Sequence, residues 1–85
     1  MRKKISWGDS YIDNTKVIRI EEKNTIINDK YKTVFYCESK SIKNGRLCII
    51  WGHTLIDIGD IISMKGIYSG ETFIAESLRI KQVAK

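Results

Sequence analysis

The chain has no proline, two cysteines, one histidine, three leucines and two alanines among its 85 residues. Without proline, only Gly and Asn/Asp clusters are left to punctuate it. Cys37 and Cys48 have no Cys-x-x-Cys spacing, so neither a zinc site nor a disulfide scaffold is indicated, and both are expected as buried free thiols. The longest apolar run, LCIIW at residues 47–51, is strand length and far from the roughly 18 residues of a membrane span. The basic start MRKKISWGD is not followed by an apolar stretch of about 7–15 residues, so no secretory signal is read and the expected location is cytoplasmic. No Gly-rich phosphate loop occurs, because Gly52 and Gly59 lack the P-loop spacing and its Lys-Ser/Thr ending. His53 can be paired on paper with Cys48, but no orienting acid or oxyanion arrangement accompanies them. Asp57 and Asp60 read as turn formers, and two carboxylates without a metal partner set do not make a nuclease. No enzyme, metal or cofactor is expected.

What the chain has in abundance is isoleucine, sixteen in all, and Ile, Thr, Val, Tyr, Phe and Trp together account for 32 residues. Such side chains lose χ1 freedom in a helix and pack well on a pleated sheet. No segment sustains an apolar 3.6-residue period over about 11–18 residues. At 9.8 kDa there is room for one domain with one core, and the expected class is all-β. A formal net charge of +5 favours anionic partners. That charge is uneven: residues 1–50 carry eleven Lys and Arg against six Asp and Glu, whereas residues 51–85 carry four of each.

The punctuation divides the chain into a basic arm, residues 1–15, and a domain, residues 16–85. Residues 16–27 form one long strand or two short ones with a bend, closed by Asn28-Asp29-Lys30. Residues 31–40, YKTVFYCESK, make the second strand. Asn44-Gly45, the strongest short hairpin signal, returns the chain into the third strand at residues 46–51. Residues 52–60 are a connection with room for one helical turn, in which Leu55, Ile56 and Ile58 must find cover. The fourth and fifth strands follow at residues 61–68 and 71–81, with a turn at Ser69-Gly70. Hairpins joining the second strand to the third and the fourth to the fifth match the five-stranded Greek-key barrel of the oligonucleotide-binding (OB) fold. Small SH3-like barrels use similar strand lengths.

The segment CIIWGH at residues 48–53, followed by GDIISMKGIYSG at residues 59–70, resembles the OB domains of replication protein A and of archaeal single-stranded DNA-binding proteins. In those domains a Trp-Gly ends the third strand, a Gly-Asp-type turn and a hydrophobic-x-Lys-Gly strand follow, and an aromatic stands in the loop joining strands four and five. The likeness is direct over residues 48–70, and strand order extends it over most of the chain. It implies an OB barrel, single-stranded DNA as ligand and base stacking at Trp51 and Tyr68, with Lys65 at the position of the family's lysine. Two departures, the short link at residues 52–60 and the tight turn between strands four and five, imply a shallower groove.

Binding a single strand needs cations along the phosphates and exposed rings on which bases stack, at about 1–3 kcal/mol each. Lys30, Lys32, Lys40, Lys43 and Arg46 lie on the second and third strands and their loop, the face that OB proteins use. Alternatively these cations only solubilise the sheet and discourage edge pairing. Trp51 either stands exposed beside Leu47 and Ile49 or is buried; alternation leaves both open, and the resemblance favours exposure. Tyr36 shares its parity with Val34, Glu38 and Lys40 and is expected toward solvent, with Phe35 in the core. Phe73 is expected in the core as well. Trp7 and Tyr11 are expected to fold back over an open barrel end, unless the arm adds a ring and cations to a bound strand or docks on a partner. His53 is expected as a surface or groove residue or, alternatively, as one that stacks or contacts phosphate beside Trp51.

The expected function is binding of single-stranded DNA, with RNA possible, at low sequence preference, as an accessory factor in replication or recombination. Trp51, Tyr36 and Tyr68 stack; Lys32, Lys40, Arg46 and Lys65 contact phosphate. The alternative is an OB-type module that docks a protein partner or a second copy through Leu47, Ile49 and Trp51. No membrane partner is expected.

Overall fold

A computed structural model describes residues 10–84. They form five strands: β1 (Ser10–Ile27), β2 (Lys30–Cys37), β3 (Arg46–Trp51), β4 (Ile61–Ser69) and β5 (Thr72–Gln82). β1 lies antiparallel to β4 through its first half and to β2 through its second. β3 is antiparallel to β2 and parallel to β5, and β5 returns antiparallel to β4. The ladders thus close on themselves as a barrel in the order β1-β2-β3-β5-β4.

One 18-residue strand serving two ladders must bend. β1 does so at Asn14 and Asn24, whose φ angles of 50° and 52° fall inside breaks of register. Asn visits this left-handed region at less cost than other non-Gly residues, because its short polar side chain bonds locally. β1 therefore starts earlier than expected. Residues 10–15, assigned to the arm, belong to the sheet, since the second side of β4 is laddered by Ser10, Tyr11 and Ile12. Tyr11 stands exposed opposite Lys65 instead of covering a barrel end; Trp7 lies outside the described residues.

Alternate residues point inward and build one core: Val17 from β1, Phe35 and Cys37 from β2, Cys48 and Ile50 from β3, Ile62 and Met64 from β4, and Phe73 and Ala75 from β5. Both phenylalanines and both free cysteines sit there, as expected.

The turns are less regular than the sequence suggests. A two-residue hairpin lies between β1 and β2, at Asn28-Asp29, where both residues have positive φ and Ile27 pairs with Lys30, the geometry of a type I′ turn. Asn44-Gly45 instead ends a longer loop, residues 38–45, because β2 stops at Cys37. There Glu38 N–H donates to the Lys16 carbonyl (2.9 Å) and the Thr15 hydroxyl to the Glu38 carbonyl (3.1 Å), which draws the chain over β1 and off the β3 ladder. Gly45, at φ 94°, has no room for a side chain: a Cβ would lie 2.8 Å from the Cys37 carbonyl oxygen.

Residues 52–60 contain no helical turn. The Asn24 side chain holds this link by donating to the Thr54 carbonyl (2.8 Å) and accepting from Thr54 N–H (2.9 Å). The buried Asp60 carboxylate accepts from Asp57 N–H (2.9 Å) and Ala84 N–H (2.8 Å), tying the link to the end of β5. Asp60 is thus a buried anchor and more than a turn former. Only Ile56 finds cover; Leu55 and Ile58 remain 73% and 56% exposed.

Candidate nucleic-acid interface

Register arranges the outer face of β1, β2 and β3 in three rows. Arg19, Tyr36 and Leu47 form the first. Glu22, Val34 and Ile49 form the second, which continues through Ile74 of β5 to Ile67 of β4. Thr25, Lys32 and Trp51 form the third.

Two of these rows carry a ring with a cation against it. Trp51 is 45% exposed, with Lys32 Nζ 5.3 Å from its ring centroid. Tyr36 is half-buried, with the Arg19 guanidinium 4.3 Å from its centroid. Each cation is the cross-strand partner of its ring, so pairing of the strands by itself sets a positive charge on an aromatic face. Arg19 also bonds Glu21 at 2.9 Å, which offsets part of its charge. Val34, Ile49 and Ile74, each half-buried, make an apolar strip between the rings. Lys30 flanks Trp51 at the Asn28-Asp29 turn. Two of the connections around the face, Asn28-Asp29 and Gly70-Glu71, are two-residue turns.

The remaining expected residues are dispersed. His53 is exposed just beyond Trp51, edge-on to Tyr31 at 5.1 Å. Arg46 opens β3 at the opposite end of the barrel; its guanidinium lies 4.9 Å from the Tyr68 centroid and donates to the Glu71 carbonyl (2.9 Å). Tyr68 packs its edge against Phe73 at 5.0 Å. Lys40 does not share the face of Tyr36, because the chain has already left the strand at Cys37. It lines, with Lys43, Arg46 and Tyr68, a groove of about 910 Å³ between the loop at residues 38–45 and β1. Lys65 pairs with Tyr11 and Ser77 and belongs to none of the three rows, so it is separate from Trp51 and Tyr36.

Arg19 is the functional candidate that the sequence hides. By plain alternation it shares the inward parity of buried Val17, and only the register break between Val17 and Arg19 turns it out beside Tyr36. No local residue pattern announces that bulge.

Cys37 and Cys48 are enclosed, and the hydrogen bond to Cys48 together with burial raises the Cys37 thiol far above its ordinary range. Cys48 is fully buried while His53 is exposed beyond the end of the same strand. Among the described residues no group of three or more His, Cys, Asp or Glu is placed to hold a metal ion, and no helix is long and apolar enough to cross a membrane. Compared with protein-family models, curated proteins and solved structures, the chain finds no match in any of the three.

Proposed function

We propose that the chain is an OB-fold module that binds single-stranded nucleic acid, DNA foremost, on the outer face of β2 and β3. Support for the fold comes from a closed five-strand ring in which a long bent β1 serves two ladders and β3 runs parallel to β5, the arrangement of the Greek-key OB barrel. Support for the ligand rests on one observation: Trp51 with Lys32, and Tyr36 with Arg19, stand on a single outer face.

That pairing gives a binding mechanism. In the free protein each cation rests on its ring, a contact worth about 0.5–1 kcal/mol at an exposed site. A base stacking on the same ring gains about 1–3 kcal/mol. Exchange is therefore favourable, and the displaced Lys32 or Arg19 is left beside the phosphate of the nucleotide that displaced it. Between the rings Val34 and Ile49 offer no base-edge donors or acceptors, and Glu22 at the edge of their row is a single acceptor, so sequence preference is low. A face that binds without transforming its ligand suits an accessory factor in replication or recombination.

Titration with oligo-dT at low and moderate salt tests the proposal. Tryptophan fluorescence is expected to quench, with affinity falling as salt rises; unchanged fluorescence and no salt dependence would sink it.

The strip of Val34, Ile49, Ile74 and Ile67 favours a second reading, in which the same face docks a protein partner or a second copy. Trp51→Ala separates the two. Loss of self-association or partner binding with oligo-dT affinity intact supports docking, whereas loss of oligo-dT affinity supports stacking.

A further inference from the structure

The groove at the barrel end lies apart from the rows of Trp51 and Lys32. We infer that it is a second subsite, which takes a nucleotide carrying its own free phosphate, such as the end of a bound strand; this rests on reading the chain as a nucleic-acid binder.

Three observations carry the inference. Lys40 and Lys43 reach the groove from a loop whose turn is fixed by Ser39, whose hydroxyl accepts from the N–H groups of Ser41 and Ile42 (both 3.3 Å). Among the described residues neither lysine has a carboxylate within ion-pair distance. Of the two carboxylates on the groove, Asp13 is already engaged by the Ser63 hydroxyl and by Lys81, which leaves Glu38 alone against Lys40, Lys43 and Arg46.

Second, the groove carries a tyrosine ring with a guanidinium against it. Arg46 lies over Tyr68, Tyr68 is propped edge-on by Phe73, and the Glu71 carbonyl fixes the guanidinium. Bases stack on such guanidinium planes and on tyrosine rings. Third, about 910 Å³ is ample for a small ligand, since such sites run to about 300–1,000 Å³.

Cations alone would accept any anion, and a ring alone would accept any base. Their juxtaposition selects a ligand that has both. A free phosphate monoester carries about −1.5 to −2 at neutral pH against a single charge for an internal diester, and two unpaired lysines on one short loop match the larger charge.

Amide NMR titration of the full chain with thymidine 5′-monophosphate, thymidine and inorganic phosphate tests this, read alongside Trp51 quenching by oligo-dT. The monophosphate is expected to move the amides of residues 39–46 and of Tyr68, half-saturating at a concentration about tenfold below that of either fragment, a difference of about 1.4 kcal/mol. A Lys40→Gln, Lys43→Gln double variant is expected to erase that advantage while oligo-dT quenching persists. The inference is overturned if thymidine or phosphate alone matches the monophosphate, if the shifts centre on Lys32 and Trp51, or if the double variant binds the monophosphate unchanged. Groove shifts without oligo-dT quenching would instead defeat the β2–β3 face and leave the groove standing.

Discussion

At Gly66 two strands approach more closely than a side chain allows: a Cβ there would run into the Ile74 carbonyl oxygen and lie 2.9 Å from Ala75 Cα. The β4–β5 register slips at this point, between Lys65 and Gly66. Gly66→Ala forces backbone to move and is expected to cost about 3 kcal/mol, at the upper end of overpacking penalties, read as a lower urea midpoint at unchanged m-value. The glycine of the Lys-Gly pair that carries part of the family resemblance is thus explained by packing, whatever the protein binds. Cys37 makes a second residue-scale prediction. Below the thiol pKa of the unfolded chain, about 8.5, both states hold the proton and the group adds no pH dependence. Above it the unfolded chain releases a proton that the bonded, buried native thiol keeps, so stability falls as pH rises, by up to about 1.4 kcal/mol per unit. Denaturant unfolding of Cys37→Ala is expected to show a flatter decline than the parent above about pH 8.5 and a parallel curve below it; parallel curves throughout would refute the linkage.

The elements themselves were largely legible, since β-branched and aromatic runs marked all five strands, and the inward positions of Phe35 and Phe73 followed from alternation. Legibility failed where long-range pairing decides. Residues 10–15 look like an arm until β4 supplies their partner, and Lys40 looks like strand until Glu38 is drawn across β1 by Lys16 and Thr15. Leu55 and Ile58 look like core, yet Asn24 and Asp60 hold their link so that only Ile56 turns in. The β1–β2 turn shows the same competition between local signals. Asn44-Gly45 is the stronger hairpin dipeptide, yet it closes a longer loop while Asn28-Asp29 makes a two-residue turn, in which Asp29 bears φ 66°. Glycine is the residue such a position prefers. Asp29→Gly is expected to stabilise the fold by up to about 1 kcal/mol, the relief of left-handed backbone exceeding the added freedom of the unfolded chain. A thermal midpoint lowered by the change would show that this turn is not strained.

Across the whole molecule, a charge of +5 permits two kinds of association with nucleic acid: a diffuse field from all fifteen Lys and Arg, or contacts at one face. The barrel separates them, because Lys65 and Lys32 carry equal charge on different faces. If phosphates are contacted at Arg19, Lys30 and Lys32, the slope of log K against log salt for oligo-dT is about −2, from roughly −0.7 per phosphate on a single strand. Lys32→Gln then removes one contact and shrinks the slope by about 0.7. Lys65→Gln removes the same formal charge and is expected to leave the slope unchanged. Should the two substitutions reduce it equally, the protein binds through its overall field, and the rings of Trp51 and Tyr36 lose their claim to be flanked by phosphate-seeking cations. Should Lys32→Gln act alone, the register that sets Lys32 against Trp51 becomes the source of the affinity, since the same charge placed on β4, two ladders round the barrel, does nothing.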